Sequence, residues 1–164
     1  MNTTTYNELY ETFLLNCGYD FDELPQTDEM RYMMIKNACR TYNQQAKKYS
    51  NRMTSNVVCD DITESLNVVL TSNEVLIFAY MMAEILASTK LVEFTSIYGT
   101  YSKEMGFKDY SAQVNARQYT INRFKQKYTA IIGAFAEKYK KKLKYRRKKL
   151  KALRTRASRK ACGT

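Results

Sequence analysis

The sequence predicts an all-α protein, a small helical bundle whose long C-terminal helix runs into a basic tail. Its 164 residues include one proline and five glycines, and so few chain breakers favour long helices over a many-stranded sheet. Apolar residues recur at steps of three and four along several stretches, which is the spacing of one helix face. Residues suited to cap a helix precede two of these stretches as capping boxes.

The first predicted helix runs from about Tyr6 to Asn16. Thr5 and Glu8 stand at capping-box spacing, and Gly18 suits the end of a helix. The face expected to be buried consists of Tyr6, Leu9, Tyr10, Phe13 and Leu14.

The second predicted helix follows a loop and ends near Ser50. Thr27 suits its N-cap, and Asp28 and Glu29 in the first turn suit the positive end of the helix dipole. Its expected inner face consists of Met30, Met34, Ala38, Thr41 and Gln45. The methionine-rich stretch "EMRYMMIKN" fits either core packing or an adaptable binding surface.

Residues 51–70 have no clear periodicity. "NVVCDDI" fits a short strand, and "ESLNVVL" fits a strand or a helix. We expect an irregular connector here.

A second capping box, Thr71 with Glu74, opens a strongly apolar third helix that is predicted to run through Ala87. The buried side consists of Val75, Phe78, Ala79, Met82, Ile85 and Leu86, and a face this broad is typical of the centre of a core. A shorter helical piece over Leu91–Tyr98 then leads to the loop "GTYSKEMGFKDY".

The last helix is predicted to begin near Ser111 and to stay helical at least to Leu153, at least when bound to a partner. Its seam alternates steps of three and four over Val114, Arg117, Ile121, Phe124, Tyr128, Ile131 and Phe135. The same count then reaches Lys138 and Lys142, so the apolar seam is expected to stop where the basic sequence begins.

Charge divides the chain into two predicted parts, a helical body (residues 1–136) and a basic C-terminal extension (residues 137–164). The body has thirteen Lys or Arg against fifteen Asp or Glu, a net charge of −2, whereas the extension has fourteen against Glu137 alone, a net charge of +13. The extension therefore carries the whole excess of the chain's +11. Such a run suggests a partner of its own.

Three classes of partner suit the extension: nucleic-acid phosphates, an anionic membrane, or an acidic protein surface. A membrane-surface helix usually carries Phe or Trp on its apolar face, and the extension has neither. Phosphate contacts would hold duplex DNA without reading its sequence, and neutralising about six phosphates gives a log affinity against log salt slope near −5. The candidate contact residues are Lys138, Lys140, Lys141, Lys142, Lys144, Arg146, Arg147, Lys148, Lys149, Lys151, Arg154, Arg156, Arg159 and Lys160.

The sequence offers little catalytic chemistry, so we expect no enzyme, cofactor or metal site. Histidine is absent, which excludes a Ser/His/Asp triad or a Cys/His pair, and no glycine-rich phosphate loop occurs. Two acidic groups are candidate Mg²⁺ ligands, Asp20/Asp22/Glu23 and Asp60/Asp61/Glu64, and the second would suit a metal-dependent nuclease. Polar loops and helix starts give the same pattern more often.

The remaining composition favours a cytoplasmic protein with no membrane span. The longest apolar run, Val75–Ala83, is far below the roughly 18 residues of a span, and the N-terminus lacks a secretory pattern. The cysteines show no CxxC pair and are expected to be reduced and structural, with nothing basic beside Cys17 or Cys59. The four are Cys17, Cys39, Cys59 and Cys162.

Two segments, "LTSNEVLIFAYMMAEIL" and "YSKEMGFKDYSAQVNARQ", resemble the small helical head–tail connector proteins of tailed bacteriophages, also called adaptors or head-completion proteins. In that family a capped helix with a core pattern precedes a Ser-Lys-Asp loop and a "YS" opening of the last long helix. The matching positions are Thr71, Glu74, Ile77, Ala79 and Met82, then Ser102 and Lys103, then Tyr110, Ser111, Ala112 and Asn115. The resemblance spans about residues 61–136, and it departs at Phe78, Ile85 and Glu104, where Leu, Trp and Asp are usual.

The resemblance implies a non-enzymatic virion protein that is assembled in the host cytoplasm and placed in the neck, at the portal vertex of the capsid. It implies a homo-oligomeric ring, a dodecamer, between portal and tail or neck proteins, lining a channel for double-stranded DNA. The extension would then dock on the portal protein or contact DNA non-specifically, with no membrane involved. The alternative is a freestanding basic nucleic-acid-binding protein, although the sequence shows no recognition motif such as a helix–turn–helix.

Overall fold

The computed structural model describes the backbone of residues 3–48, 53–99 and 107–161. Helices dominate these ranges, which confirms the all-α class. The helices are α1 (Tyr6–Cys17), α2 (Asp28–Lys48), α3 (Ser72–Tyr98) and α4 (Phe107–Ala161), with a 3₁₀ turn at Phe21–Glu23 and a hairpin of β1 (Cys59–Asp60) and β2 (Ser65–Leu66). The central helix is α3, because α1, α2 and α4 all pack on it.

Both ends of α1 follow the sequence prediction. The Thr5 hydroxyl accepts a hydrogen bond from the backbone N–H of Glu8 at 3.1 Å, as an N-cap does. Gly18 ends the helix with φ of 68°, a left-handed conformation that glycine adopts without steric penalty.

The buried face of α1 differs from the prediction at one position. Tyr6, Leu9 and Phe13 are buried as expected, and Tyr10 packs at the edge of the core. Leu14, however, is 40% exposed, so its prediction was wrong, and Cys17 takes the next buried position. Cys17 lies four residues after Phe13, which places it on the same face.

The cap of α2 is confirmed, but its inner face was predicted only in part. The Thr27 hydroxyl accepts a hydrogen bond from the backbone N–H of Met30 at 3.3 Å. Met30 itself is 53% exposed, and Thr41 and Gln45 lie at the edge of the face. The buried residues are Met34, Ile35, Ala38, Cys39, Tyr42 and Ala46. The predicted end near Ser50 lies outside the described residues.

The face of α2 is set by its contact with α3, which the pattern within α2 could not specify. The rings of Tyr42 and Phe78 lie with their centroids 4.5 Å apart in the centre of the core. This large aromatic pair turns the helix so that Tyr42, rather than Thr41, points inward.

Part of the segment predicted as an irregular connector is a small antiparallel hairpin. Cys59 lies opposite Leu66 in its register, and each strand has two residues, too few for a periodic pattern to mark. The N-terminal segment runs beside β2, because the backbone N–H of Leu66 donates to the carbonyl of Thr4 and that of Tyr6 to the carbonyl of Glu64, both at 2.8 Å. The hairpin is thereby joined to the start of α1.

The second capping box, Thr71 with Glu74, is confirmed, and it opens a helix longer than predicted. Instead of ending near Ala87 and resuming at Leu91, α3 continues unbroken to Tyr98. The polar residues between these points fit the helix because the hydroxyls of Ser88 and Thr89 donate to carbonyls four residues earlier. The predicted buried side is confirmed, with Ile85 only partly covered.

Among the described residues, α3 is long and apolar enough to cross a membrane by length and composition, with a mean hydropathy of 1.7. Half of that apolar stretch is buried inside the protein by its neighbours. The central helix of a helical bundle has the same composition, because it is covered on several sides.

The last helix, α4, begins at Phe107, four residues before the predicted start at Ser111. Its seam is confirmed in the middle, where Ile121, Phe124 and Tyr128 are buried and Ile131 and Phe135 pack at the edge. Arg117, the one charged member of the seam, places its guanidinium 4.0 Å from the centroid of the Phe94 ring. This cation–π contact explains why an arginine is tolerated there.

Candidate functional site

The extension continues α4 beyond the residues that pack on the core. Among the side chains that the structure describes, the last buried one of the helix belongs to Ile132, and Phe135 is the last partly buried aromatic residue packed on the core. The backbone remains helical to Ala161, so at 1.5 Å per residue the basic part from Lys138 onward is about 35 Å long. The prediction that the helix continues at least to Leu153 is confirmed for the backbone.

The basic side chains that the structure describes in the extension face solvent. All six are exposed, namely Lys141, Lys142, Lys144, Arg146, Arg147 and Lys149. The other predicted contact residues lie on the same helix, and their side chains are outside the described set. Of the described basic groups of the extension, none forms an ion pair with the helical body, whose ion pairs join residues between 28 and 93. The six described cationic groups are therefore not paired with carboxylates of the body.

An apolar stripe continues from the body into the extension, which the heptad count did not predict. With about 100° of rotation per residue, Tyr139 and Leu143 fall on the side of α4 that carries Ile121, Tyr128 and Ile132. Leu143 is half-buried, unlike its basic neighbours. Five apolar positions of the extension fall on this side of the helix, and we call them the apolar stripe: Tyr139, Leu143, Leu150, Leu153 and Ala157. The heptad count itself meets Lys138 and Lys142, because a helix of 3.6 residues per turn drifts away from a heptad.

Several large apolar side chains of the body remain in solvent. On α2, Met30 and Met33 are 53% and 58% exposed, and Ile62 at the hairpin turn is 95% exposed. Met34, in the same "EMRYMMIKN" stretch, is buried. The stretch thus serves both the core and the surface.

The acidic group of the hairpin does not converge on one point. Asp60 accepts hydrogen bonds within its own turn, from the backbone N–H of Ile62 and the hydroxyl of Thr63, both at 2.9 Å. These bonds hold the pKa of Asp60 below its ordinary value. The other two carboxylates bind different side chains, since Asp61 meets Tyr6 on α1 and Lys36 on α2, whereas Glu64 meets Tyr32 on α2.

Metal coordination finds no support in this arrangement. Within the described ranges, no group of three or more Asp, Glu, Cys or His side chains could hold a metal ion. Asp22 and Glu23, from the other candidate group, lie in the first turn of the 3₁₀ segment. Asp20 immediately precedes them as its N-cap residue.

Sequence reasoning missed a cluster around Cys59. β1 places Cys59 beside α2, where the Cys39 sulfur lies 3.2 Å from the carbonyl of Val57, two residues before Cys59. The side chain of Cys39 first, then that of Tyr6 and the charge of Lys36, lower the pKa of Cys59, against burial and the carboxylate of Asp61. The expectation that nothing basic surrounds Cys59 was wrong. One signal was available, because Lys36 and Cys39 are three apart and therefore neighbours on α2.

Comparison with known proteins places the chain with prophage proteins. The sequence profile of the YomZ prophage protein family matches residues 1–137, which is the body and the first residue of the extension. The SPbeta prophage-derived uncharacterized protein YomZ of Bacillus subtilis (strain 168) is 28% identical over 129 residues, or 79% of this chain and 93% of that protein. No solved structure matches the chain. The chain, a phage-related helical protein, belongs to the YomZ prophage protein family.

Proposed function

We propose that the protein is a structural component of a phage particle, a head–tail connector that forms a ring between the portal and the tail. The observation that carries the proposal is α4, one helix that packs on the core as far as Phe135 and continues for about 40 Å to Ala161, with exposed cationic side chains between Lys141 and Lys149. A helix anchored at one end and basic at the other suits a subunit that must reach a polyanionic neighbour. Membership of a prophage family supports the setting.

The apolar stripe favours a protein groove over duplex DNA as the docking site of the extension. DNA offers a surface of phosphates, which Lys and Arg can neutralise, but no apolar groove for leucines. A helix with an apolar stripe and basic flanks fits an apolar groove with an acidic rim. We therefore propose that the extension docks in an acidic crevice of the portal protein, with its outer basic faces free to contact the DNA in the channel.

The exposed apolar residues of the body supply candidate contacts between neighbouring copies. Met30, Met33 and Ile62 lie far from full burial, with 53%, 58% and 95% of their surfaces exposed. Large apolar residues on a surface are typical of interaction sites when several lie together. Head-to-tail contacts between copies close into a ring if the rotation per copy allows it.

A charge-matched pair of variants tests the role of the extension. One variant removes three charges from it, and the control removes the same three charges from exposed positions of α2. The substitutions are Lys142→Gln, Lys144→Gln and Arg146→Gln in the extension, and Arg40→Gln, Lys47→Gln and Lys48→Gln in the control. Both variants lower the net charge equally, so a difference between them reports position rather than total charge.

We expect the extension variant to bind the portal of the same phage at least ~10-fold more weakly and the control to bind like the wild type. Three lost charge contacts at roughly 0.5–1 kcal/mol each give that change. Binding is measured by light scattering, and particle images should show ring-shaped density stacked on the portal. Equal weakening of both variants would contradict the proposal, and so would the absence of rings.

The freestanding nucleic-acid-binding alternative makes a different prediction. It requires a salt-dependent gel shift of duplex DNA without any binding to the portal. In that case the triple substitution in the extension should reduce the slope of log affinity against log salt by about 3, since each lost phosphate contact contributes about 0.9. Removing residues 138–164 then shows whether the extension is separable, and we expect the body to keep its helical circular dichroism.

A further inference from the structure

A groove between α2 and the hairpin lies open on the surface of the body. It has a volume of about 470 Å³, and five residues line it, namely Glu29, Tyr32, Met33, Lys36 and Asp61. We call it the α2–hairpin groove. Met33 is 58% exposed although its side chain is apolar. The groove therefore offers an apolar contact that the described part of the chain leaves uncovered.

The rim of the α2–hairpin groove is mainly acidic. Glu29 lies in the first turn of α2 and Asp61 in the hairpin turn, so each of the two elements supplies a carboxylate. Glu64 joins them, because its carboxylate accepts a hydrogen bond from the hydroxyl of Tyr32. Lys36 is the one cation among the lining residues, and it is paired with Asp61. Three carboxylates against one ammonium give the groove a net charge of −2.

The extension has a face that complements this groove. Leu143 is half-buried, and Arg146 and Arg147 are exposed. The two arginines follow Leu143 by three and four residues, so they lie on the same side of the helix and flank it. Recognition of a helix by a groove uses this spacing, with apolar anchors in the floor and charged groups at the rim. Duplex DNA is a poor occupant, because its phosphates carry the same sign of charge as the rim.

The extension of the same copy does not fill the groove. Helix α4 is unbroken from Phe107 to Ala161, and it is held in the core through Phe124, Tyr128 and Ile132. An unbroken helix cannot fold back over the bundle on which it packs. None of the described cations of the extension is paired with the body. A second copy, by contrast, brings one extension for every groove.

We propose that the α2–hairpin groove is a docking site for the extension of a second copy of this chain. Leu143 would pack against Met33, and Arg146 and Arg147 would pair with carboxylates of the rim. The contact joins different surfaces of the two copies, so it is head-to-tail, and each bound pair still offers one groove and one extension. Self-association therefore grows with concentration and weakens with salt.

This inference goes beyond the connector proposal and does not rest on it, because the contact forms between free copies without a portal. The portal crevice proposed above would bind the same face of the extension. A copy seated on the portal would therefore leave the groove of its neighbour free.

Two complementary variants of the full chain test the contact. The groove variant carries Glu29→Lys and Met33→Lys, which reverse one charge of the rim and place a cation in the floor. The extension variant carries Arg146→Glu and Arg147→Glu, which reverse the two charges that flank the apolar anchor. All four positions are exposed, so both variants should keep the helical circular dichroism of the wild type.

The chain offers a matched control for the groove variant on α1. Glu11→Lys with Leu15→Lys makes the same change of charge at the same spacing of four residues. Leu15 is 86% exposed, and neither position lines the groove. A difference between the groove variant and this control therefore reports the groove rather than the total charge.

Sedimentation velocity at low salt measures the self-association. We expect the wild type and the control to associate as concentration rises, and each of the two variants to associate at least ~10-fold more weakly, because attraction at the rim becomes repulsion. Mixed in equal amounts, the two variants should form a one-to-one pair and nothing larger. Only the extension of the groove variant and the groove of the extension variant are then intact.

Three results would overturn the proposal. The first is a wild type that sediments as a monomer up to ~0.1 mM, and loss of portal binding by the groove variant would then assign the groove to the portal. The second is a groove variant that associates like its control. The third is a mixture of the two variants that does not pair. The sedimentation test contains no portal, so its failure would be distinct from a failure of the connector proposal.

Discussion

Replacing Glu74 by glutamine should destabilise the protein although the side chain keeps its size. Glu74 is 4% exposed, and both carboxylate oxygens accept two hydrogen bonds each. Oε1 accepts from the Tyr42 hydroxyl at 2.8 Å and the Thr54 backbone N–H at 2.7 Å. Oε2 accepts from the backbone N–H and the hydroxyl of Thr71, at 2.9 and 2.8 Å.

The expected magnitude follows from counting donors. A glutamine amide replaces one oxygen by an NH₂ group, so the backbone N–H of either Thr54 or Thr71 then faces another donor. A hydroxyl can rotate and accept instead, but a backbone N–H cannot. One buried donor without a partner costs about 1–3 kcal/mol, and we expect about 2 kcal/mol for Glu74→Gln. Glu74→Ala removes the acceptor for all four donors and should lose roughly 3–5 kcal/mol.

Urea unfolding followed by circular dichroism measures this change, with Glu11→Gln as the control. Glu11 is an exposed helical glutamate that accepts a single side-chain bond, from Asn7, so its replacement should change the free energy of unfolding by less than ~0.5 kcal/mol. If Glu74→Gln changed the free energy of unfolding as little as the control, the four hydrogen bonds would not stabilise the junction of α2, α3 and the segment between them.

The same site predicts a dependence on pH. Burial alone would raise the pKa of Glu74, but the hydrogen bonds from Thr54, Thr71 and Tyr42 outweigh it and lower the pKa below the ordinary value. The charged form therefore stabilises the folded state at neutral pH, and this contribution is lost as the pH falls below the ordinary glutamate range through the folded pKa. The difference between wild type and Glu74→Gln should accordingly be largest near pH 7 and shrink in acid.

Two further pairs of substitutions test the packing and the backbone. Phe78→Ala should lower the free energy of unfolding in urea titrations by about 3–5 kcal/mol, because the Phe78 ring is fully buried. Phe21→Ala is the control and should lower it much less, because Phe21 is 74% exposed. Similar losses for the two variants would contradict the assignment of Phe78 to the core. Gly18→Ala should lower the free energy of unfolding by about 1–2 kcal/mol because φ is 68°, although the added Cβ would meet no atom within 4 Å. Gly133→Ala within α4 should instead raise the free energy of unfolding by about 0.5–1 kcal/mol, measured by thermal unfolding. Stabilisation by both substitutions would show that the left-handed conformation at Gly18 is not required.

Local rules predicted the capped helix starts better than the helix faces. The caps at Thr5, Thr27 and Thr71 depend on residues within one turn of each other, so the sequence displays them directly. The buried face of α2 is set by the contact of Tyr42 with Phe78, and Phe78 belongs to another helix, α3. A periodic pattern could therefore locate the helix and still misplace its inner side by one residue.

The two candidate sites differ in the same way. The basic extension is visible in composition alone, because charge needs no partner in the chain to be recognised. The positions of its apolar stripe are also visible in the sequence at helical spacing, although a heptad count does not pass through them, because a helix keeps a period of 3.6 residues. The surroundings of Cys59 were invisible because a two-residue strand, without a periodic signature, carries this residue to α2.

The unbroken course of α4 connects the far end of the extension mechanically to the core. No described residue between Ile132 and Ala161 interrupts the helix, and the segment contains no proline, so a load applied at the far end reaches the core without a joint to absorb it. A partner that binds the C-terminal end of α4 therefore also fixes the orientation of the helical body. In an assembly, the surface to which the extension binds would then set the orientation of every copy.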